Sequence, residues 1–549
     1  MSDVTLRTAG KRYKCRISQT DDHIIFNKAP FKFKDEIKAM KGARWYPDNR
    51  HWRVKNCPRN MFQFAAMMVE PDNPNPYAWF ERPLVDAPES HRPLKDHQID
   101  MIRKALTYRY QLFAADMGLG KTLTSIEIME QLDNEYGWDA NGEFEDKVWF
   151  VGPKSALESV ECDLKKWDVL VSPRLMTYER LLIEHKTLPV PQCVFFDESS
   201  SLKSPGAQRT MAAQWTADAV REAHGTDGCV VLLSGTPTAK RPSDIWSQCE
   251  ITYPGFLREG SLQAFEARYA IVEQGEDNDG NKFKKIVGWK DEEVEQIAAR
   301  TEGLMSVYRK DDLLNLPTRT FTRVSCPVTP RIKRVAKTLA DSAPNVITAL
   351  TRLRSLSSGF QYKEDGEAGE NGERAMVETK CPKDAILEDY LHRESQRGRM
   401  ICFASFQGSI DRVKRICAAD GWDTITVDGR GWNCFDNEGN RIKEHILDFW
   451  ANNPNPTVLI GNPASCRFGL TLTEAKTIVV YDQNFSAEHR LQSLDRNYRI
   501  GQDQPVEVID ILHLPVDELI LDTLTENKRL EELSLGLIMQ SLEKDLTSA

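Results

Sequence analysis

A chain of 549 residues exceeds the roughly 250–300 at which a single core stops growing, so several domains are expected. Its 40% hydrophobic and 28% charged residues exclude a disordered chain, and the lack of an apolar run fit to span a bilayer or serve as a secretory signal predicts an intracellular protein, cytoplasmic or nucleoid-associated, without membrane contact. The formal charge of −10 disfavours a polyanionic partner as a total, but the first 60 residues hold 15 Lys and Arg against 6 Asp and Glu, a basic head on an acidic body.

That head, residues 1–70, carries Phe31-Lys32-Phe33-Lys34, Gly42-Ala43-Arg44-Trp45-Tyr46-Pro47 and Arg50-His51-Trp52-Arg53. Pro47-Asp48-Asn49 predicts the turn of a hairpin. Two readings stand for the rings: Trp45 and Trp52 stack on bases while Lys32, Lys34 and Arg44 hold phosphates, or the rings fill a small α+β core. Residues 71–93 are proline-rich and polar, the composition of a linker that lets the head fold separately. From 94 to 325, Lys147–Pro153, Gln192–Glu198 and Cys229–Thr236 are short apolar runs alternating with helical stretches. The pattern returns over 326–515 in Arg399–Phe406, Thr424–Gly429, Pro456–Asn462 and Lys476–Asp482, after a Gly- and Glu-rich stretch at 361–376 read as a mobile loop. The fold class expected is α/β, two parallel-sheet lobes in tandem behind a small α+β domain, with 516–549 a helical extension.

Chemistry enters at Asp116-Met117-Gly118-Leu119-Gly120-Lys121-Thr122, which follows an apolar run and precedes a helical one. Gly118 and Gly120 let backbone N–H groups close on a β-phosphate, the Lys121 ammonium bridges phosphate oxygens, and the Thr122 hydroxyl holds Mg²⁺. Ala115 stands where the general pattern begins with glycine. Cys193-Val194-Phe195-Phe196 then ends in Asp197-Glu198, with Asp197 suited to hold Mg²⁺ and Glu198 to orient and deprotonate the attacking water. The cofactors expected are ATP and Mg²⁺. The 12 cysteines include no C-x-x-C pair, so no other metal is predicted.

From 94 to 515 the chain resembles the Swi/Snf-type branch of helicase superfamily 2, in unbroken motif order. The resemblance implies two RecA-like lobes and gives Gln98 of Leu94-Lys95-Asp96-His97-Gln98 the adenine edge. Phe150–Ser155 resembles motif Ia and Thr177-Tyr178-Glu179 motif Ib, which puts Lys154, Ser155, Thr177 and Tyr178 on the DNA backbone. Ser234–Pro237 resembles motif III, Phe403–Phe406 motif IV with Ser405 and Phe406, and Gly469–Leu472 motif V with Thr471, followed by Ala475 and Asp482. Gln492-Ser493-Leu494-Asp495-Arg496-Asn497-Tyr498-Arg499-Ile500-Gly501-Gln502 is similar to motif VI. On a helix Arg496 and Arg499 would share a face, with Arg499 the arginine finger, Arg496 beside it, and Gln492 joining the catalytic set. The sequence departs from the family in Asp197-Glu198-Ser199-Ser200, where many relatives have D-E-A-H, and in Cys466-Arg467-Phe468 before motif V. Residues 432–440 read as an insertion before Arg441.

The head resembles a HARP-type module of the annealing-helicase branch. Together these resemblances imply a motor that hydrolyses ATP, moves on double-stranded DNA as a monomer, and remodels or reanneals forked or branched DNA, in repair or at the replication fork. A strand-separating DNA or RNA helicase is the enzymatic alternative. A nucleotide-switched clamp without hydrolysis is the alternative of another class, and the intact Lys121, Asp197, Glu198, Arg496 and Arg499 count against it.

Overall fold

The computed structural model describes residues 2–8, 11–68, 85–86, 89–169, 171–235, 237, 241–276, 282–290, 297, 300–314, 316–362, 376–396, 398–466, 472–499 and 501–525. They form two compact units, Met1–Leu313 and Leu314–Ala549. No described helix is long and apolar enough to cross a membrane.

The first unit begins with an antiparallel sheet of β1 (Ser2–Thr8), β2 (Lys11–Gln19), β3 (His23–Asn27), β4 (Arg44–Tyr46) and β5 (His51–Lys55), in spatial order β1-β2-β3-β5-β4. Alternation along the strands sends Leu6, Cys15, Ile17, Ile24, Phe26 and Val54 into one core with Phe33, Ile37, Phe64 and Met67. The expected hairpin is β4–β5, with Trp45 opposite Trp52.

The head is not a tethered domain. Helix Pro58–Met68 has two apolar faces: Phe64 and Met67 close the antiparallel sheet, while Phe62 and Ala66 enter the core of the next one. Phe62 lies 5.1 Å from the Tyr110 ring and 4.8 Å from the Tyr253 ring, with the Arg221 guanidinium 5.5 Å away. Arg59 pairs with Asp218 at 3.1 Å and Glu250 at 2.9 Å. Arg258 donates to Glu36 at 2.7 Å and to the carbonyls of Ala66 and Arg7 at 2.9 Å. Gly260 admits the contact, since a Cβ there would meet Ala39 Cβ at 2.7 Å. Most of the expected linker lies outside the described residues, and its last part belongs to the lobe: Ser90 donates to Glu127 at 2.9 Å, and the buried Arg92 donates to Glu127 at 2.6 Å and also to Glu130.

The second sheet of this unit comprises β6 (Tyr110–Ala115), β7 (Val148–Val151), β8 (Arg174–Met176), β9 (Cys193–Phe196), β10 (Cys229–Ser234) and, after a hairpin of β11 (Ala270–Glu276) and β12 (Lys282–Trp289), β13 (Met305–Tyr308). Its order is β13-β6-β10-β9-β7-β8, and every pairing is parallel. Strands β6, β7, β9 and β10 are buried throughout, as a sheet covered on both faces requires.

The second unit starts earlier than expected. β14 (Arg319–Ser325), placed by the sequence at the end of the first lobe, pairs with the far strand β23 (Val506–Leu512) instead. With β15 (Phe360–Tyr362) and β16 (Met376–Glu378) set aside as a small pair, the main sheet contains β14, β17 (Arg399–Phe403), β18 (Asp423–Asp428), β19 (Gly431–Phe435), β20 (Arg441–Ile442), β21 (Thr457–Gly461), β22 (Thr477–Val480) and β23. Its order is β14-β23-β22-β17-β21-β18-β19-β20, parallel as far as β18. The insertion at 432–440 is a hairpin that adds β19 and β20 antiparallel to this edge. The stretch read as a mobile loop falls largely outside the described residues, as does the part beyond 525 of the extension expected at 516–549; Pro515–Thr525 is helical.

Candidate nucleotide and nucleic-acid site

In the first unit, β6 delivers the phosphate loop. Ala115 is still strand, paired with Tyr308, so the missing first glycine costs nothing; the turn comes at Gly118 and Gly120, with φ of +83° and +76°, a region few other residues adopt. A Cβ at Gly120 would also collide with the Gln98 amide. Helix Lys121–Tyr136 follows directly, so its N-terminal N–H groups and positive dipole end lie at the loop. Lys121 Nζ donates to the carbonyls of Ala115 at 2.8 Å and Asp116 at 3.4 Å. The Asp116 carboxylate accepts from the backbone N–H of Lys310 at 2.8 Å, a tie from the end of β13 that no local pattern announced. Gln98 accepts from Lys95 N–H at 2.9 Å and donates to Gly120 O at 3.3 Å, so the residue expected on adenine is tied to the phosphate loop. Half-buried Thr122 sits in the first helical turn.

β9 ends at the same sheet edge, separated from β6 by β10. Asp197 N–H donates to Val151 O at 2.8 Å, and Glu198 N–H donates to the Asp197 carboxylate at 3.0 Å. Glu198 is buried with φ +50° and ψ +51°. For a residue with a Cβ this left-handed backbone costs about 1–3 kcal/mol and persists only where neighbours enforce it, most often at functional sites. One carboxylate and one hydroxyl at a phosphate loop suit Mg²⁺, which retains several waters and takes its other ligands from phosphate; Asp197 and Thr122 are the residues that would hold it.

The expected DNA contacts separate. Lys154 is exposed at the start of helix Lys154–Lys166, and the side chain of Ser155 lies outside the described residues. Thr177 caps helix Tyr178–Glu184, accepting from Arg180 N–H at 3.2 Å. Tyr178, expected on the DNA backbone, is buried and donates to the main-chain carbonyl of Asp197 at 2.7 Å, tying helix Tyr178–Glu184 to the end of β9. Burial pushes its phenol well above the ordinary range. In the head, Lys32 and Arg44 are exposed, and Lys34 lies 5.3 Å from the ring of the exposed Phe31. Trp52 packs against the head's core, and Trp45 beside it, at 5.4 Å, is 42% exposed.

In the second unit described residues of the motif segments meet in two places, Asp482 with Ser405 and Phe406, and Leu472 with Arg496. The buried Asp482 accepts from the N–H groups of Ser405 at 3.0 Å and Phe406 at 3.4 Å. Phe406 lies under the Arg354 guanidinium at 4.7 Å, whose pKa burial pulls down to about 10. Cys466 fills the space left by Gly461, while residues 467–471, Thr471 included, lie outside the described residues. Arg496 and Arg499 do not share a helix, since helix Ala487–Leu494 ends before them. They follow in a turn, where Leu472 N–H donates to Arg496 O at 3.0 Å and Gln502 Nε2 donates to Thr473 O at 2.9 Å. Arg496 is buried, its Nε donating to Gln492 O at 3.2 Å; Gln492 is buried and Arg499 half-buried.

No family model matches the chain. An uncharacterized ATP-dependent helicase of Mycoplasma pneumoniae is 24% identical over 334 residues, covering 58% of this chain and 28% of that protein. A Caenorhabditis elegans homolog of SWI/SNF-related matrix-associated actin-dependent regulator of chromatin subfamily A-like protein 1 is 24% identical over 340 residues, 61% of this chain and 44% of that protein. Among solved structures, the Sulfolobus solfataricus SWI2/SNF2 ATPase core in complex with dsDNA is 19% identical and covers 84% of this chain and 97% of its own, at a TM-score of 0.34. The chain spans less than half the length of these two curated relatives. In sequence the chain is thus similar to an ATP-dependent helicase and to a SWI/SNF-related protein, in keeping with the resemblance that its motif residues carry.

Proposed function

We propose that the chain is an ATP-dependent DNA translocase, hydrolysing ATP to move on double-stranded DNA. The observation that carries this reading is Glu198, buried and held left-handed beside Asp197 at the sheet edge that also bears the Gly118–Thr122 loop. A clamp that only binds nucleotide has no use for a strained carboxylate there, whereas hydrolysis needs an oriented base. Lys121 contacts the phosphates, Thr122 and Asp197 hold Mg²⁺, Glu198 takes the proton of the attacking water, and Arg499, supported by Arg496 and Gln492, offsets charge in the transition state. The two lobes proposed for the motor, 94–325 and 326–515 by sequence, take their boundary at about 314. The test is an ATPase assay with no nucleic acid, single-stranded, duplex and forked DNA, and RNA; equal rates in all five reactions refute a DNA-driven motor.

Forked or branched DNA is the substrate we infer for the head, which acts with the motor as a monomer. The sheet face opposite the head's core carries Arg12, Lys14 and Arg16 on β2 and Arg44, Tyr46, Arg53 and Lys55 on β4 and β5. Register places Arg16, Asn27, His51 and Tyr46 in one row across the sheet. Arg53 and Arg44 cover the Tyr46 ring at 4.7 and 5.5 Å, and Tyr46 stacks on His51 at 5.1 Å. A flat cationic face with aromatic steps suits unpaired strands, which supports a HARP-like role. Anisotropy titrations of forked against blunt duplex DNA test it; no fork preference refutes it.

A further inference from the structure

The segment after Asp197-Glu198 and the segment after β10 are bridged by one side chain that no motif predicted. Gln248, on helix Asp244–Thr252, is fully buried. Its Nε2 donates to Pro237 O at 2.7 Å and to Asp244 O at 2.9 Å. Both are carbonyls and only accept, so the amide oxygen must face the other way, toward Ser199, whose hydroxyl donates to it at 2.8 Å. Ser199 is likewise fully buried. A second bond from the same helix, Ser247 Oγ to Lys203 O at 3.1 Å, holds the far end of the 199–202 turn. An apolar side chain of the same length would fill this space without desolvating an amide, so packing alone does not account for Gln248. What the amide adds is a directional link between two segments that end neighbouring parallel strands.

We propose that Gln248 is a positioning residue that, through Ser199, keeps Glu198 in its left-handed conformation and ties that conformation to the chain at Pro237, past the end of β10. The inference rests on the ATPase reading above and deepens it: Gln248 is fully buried and acts through the Ser199 hydroxyl on the turn that follows Glu198. Losing the link leaves ATP bound as before and misplaces the base, so kcat falls and KM holds.

The experiment measures steady-state ATPase at saturating duplex DNA, ATP affinity by equilibrium titration, and thermal stability for Gln248→Leu, Gln248→Met, Ser199→Ala, Ser199→Thr and Ser199→Ala with Gln248→Leu. The expected result is a loss of kcat of about tenfold or more in Gln248→Leu and Ser199→Ala, with KM and ATP affinity within about twofold. Ser199→Thr, which keeps the hydroxyl, retains most of the rate, and the double variant is no worse than the poorer single one, because one link is broken once. Ser199→Ala removes a single oxygen, so it decides the matter if the Gln248 variants fail to fold. Unchanged kcat in Ser199→Ala, or losses that multiply in the double variant, overturn the proposal. Hydrogen exchange supplies a readout without turnover: a non-hydrolysable ATP analogue protects 198–203 and 231–237 together in the unaltered protein, and Ser199→Ala confines protection to the first. Absent hydrolysis by the unaltered protein would refute the ATPase reading, while protection unchanged by Ser199→Ala would refute the Gln248 link alone.

Discussion

Phe62→Ala tests whether the basic head is built into the first unit. Phe62 is 3% exposed and its ring lies between Tyr110 and Tyr253 beside the Arg221 guanidinium. Truncating a buried phenylalanine costs about 3–5 kcal/mol, because the cavity left behind collapses only in part. The wall here resists collapse: Tyr110 begins a central strand and Arg221 is tied to the carbonyl of Thr252 at 2.8 Å. At roughly 2 °C per kcal/mol for a unit of this size, the expected fall in Tm is about 6–10 °C. Calorimetry and circular dichroism are the assay, and both should show one transition for the first unit, shifted as a whole. Deleting residues 1–68 should lower the same transition further, since Tyr110, Tyr253 and the Asp218–Glu250 pair all lose their cover. If the head of the Phe62→Ala protein melted separately at low temperature while the lobe's transition stayed put, the two would be independent domains and the docking argument would fail.

Glu198→Gln and Lys121→Ala should each lower DNA-stimulated ATPase by at least about 10²-fold while leaving Tm and duplex binding near those of the unaltered protein; turnover within about tenfold in Glu198→Gln rejects its assignment as base. Arg499→Ala should cut kcat by about 10³-fold or more with little change in ATP affinity, and equal loss of both would make Arg499 an ordinary binding residue. Substituting Arg12, Lys14 and Arg53 with alanine should flatten the salt dependence of single-strand binding by roughly 0.7 in log–log slope per lost phosphate contact; an unchanged slope moves the contact elsewhere. His513 is buried and its Nδ1 lies 3.0 Å from Ser357 O, and burial pulls its pKa below the ordinary 6.5. A depressed folded pKa contributes stability that is fully present above the unfolded value and is lost as pH falls from there through the folded one, so Tm of the second unit should start to drop as pH falls below about 6.5 and drop less in His513→Asn.

The residues legible in the sequence are those whose chemistry fixes both type and spacing. The phosphate loop needs glycines where the backbone turns left-handed, and the structure has them at Gly118 and Gly120; the acidic pair needs a buried strand to carry it, and Cys193–Phe196 is one. Long-range partnerships were not legible. Arg59 and Asp218, or Glu36 and Arg258, are far apart in the chain and belong to no local period, so a basic head followed by prolines read as tethered. Helical spacing misled at Arg496 and Arg499 because side chains compete with the helix just past Leu494: Asp495 takes Arg319 at 3.0 Å and Asn497 donates to Ala475 O. Tyr178 misled for a related reason, since a motif string records which residue is present and not which way it turns.

The place where the head attaches limits what it can do. Its anchor touches Tyr110, the first residue of β6, and the phosphate loop begins directly after Ala115, the last. The six residues between, at about 3.3 Å each, put roughly 20 Å of buried, doubly paired strand between anchor and nucleotide loop. Such a strand has little room to stretch or bend, because close-packed interiors have low compressibility. The head therefore does not sense ATP through this attachment; a strand held on its cationic face is held at a fixed distance from the phosphate loop. If ATP shifts DNA along the motor, a strand gripped by the head must slip or be drawn taut, and either event acts on a junction rather than on uniform duplex. On that argument deleting residues 1–68 should uncouple fork preference from ATPase rate: duplex-stimulated turnover at a temperature below its melting persists, while forked and blunt DNA stimulate alike. Measuring both stimulations in one preparation decides it, and retained fork preference in the headless protein would mean that the lobes read the junction themselves.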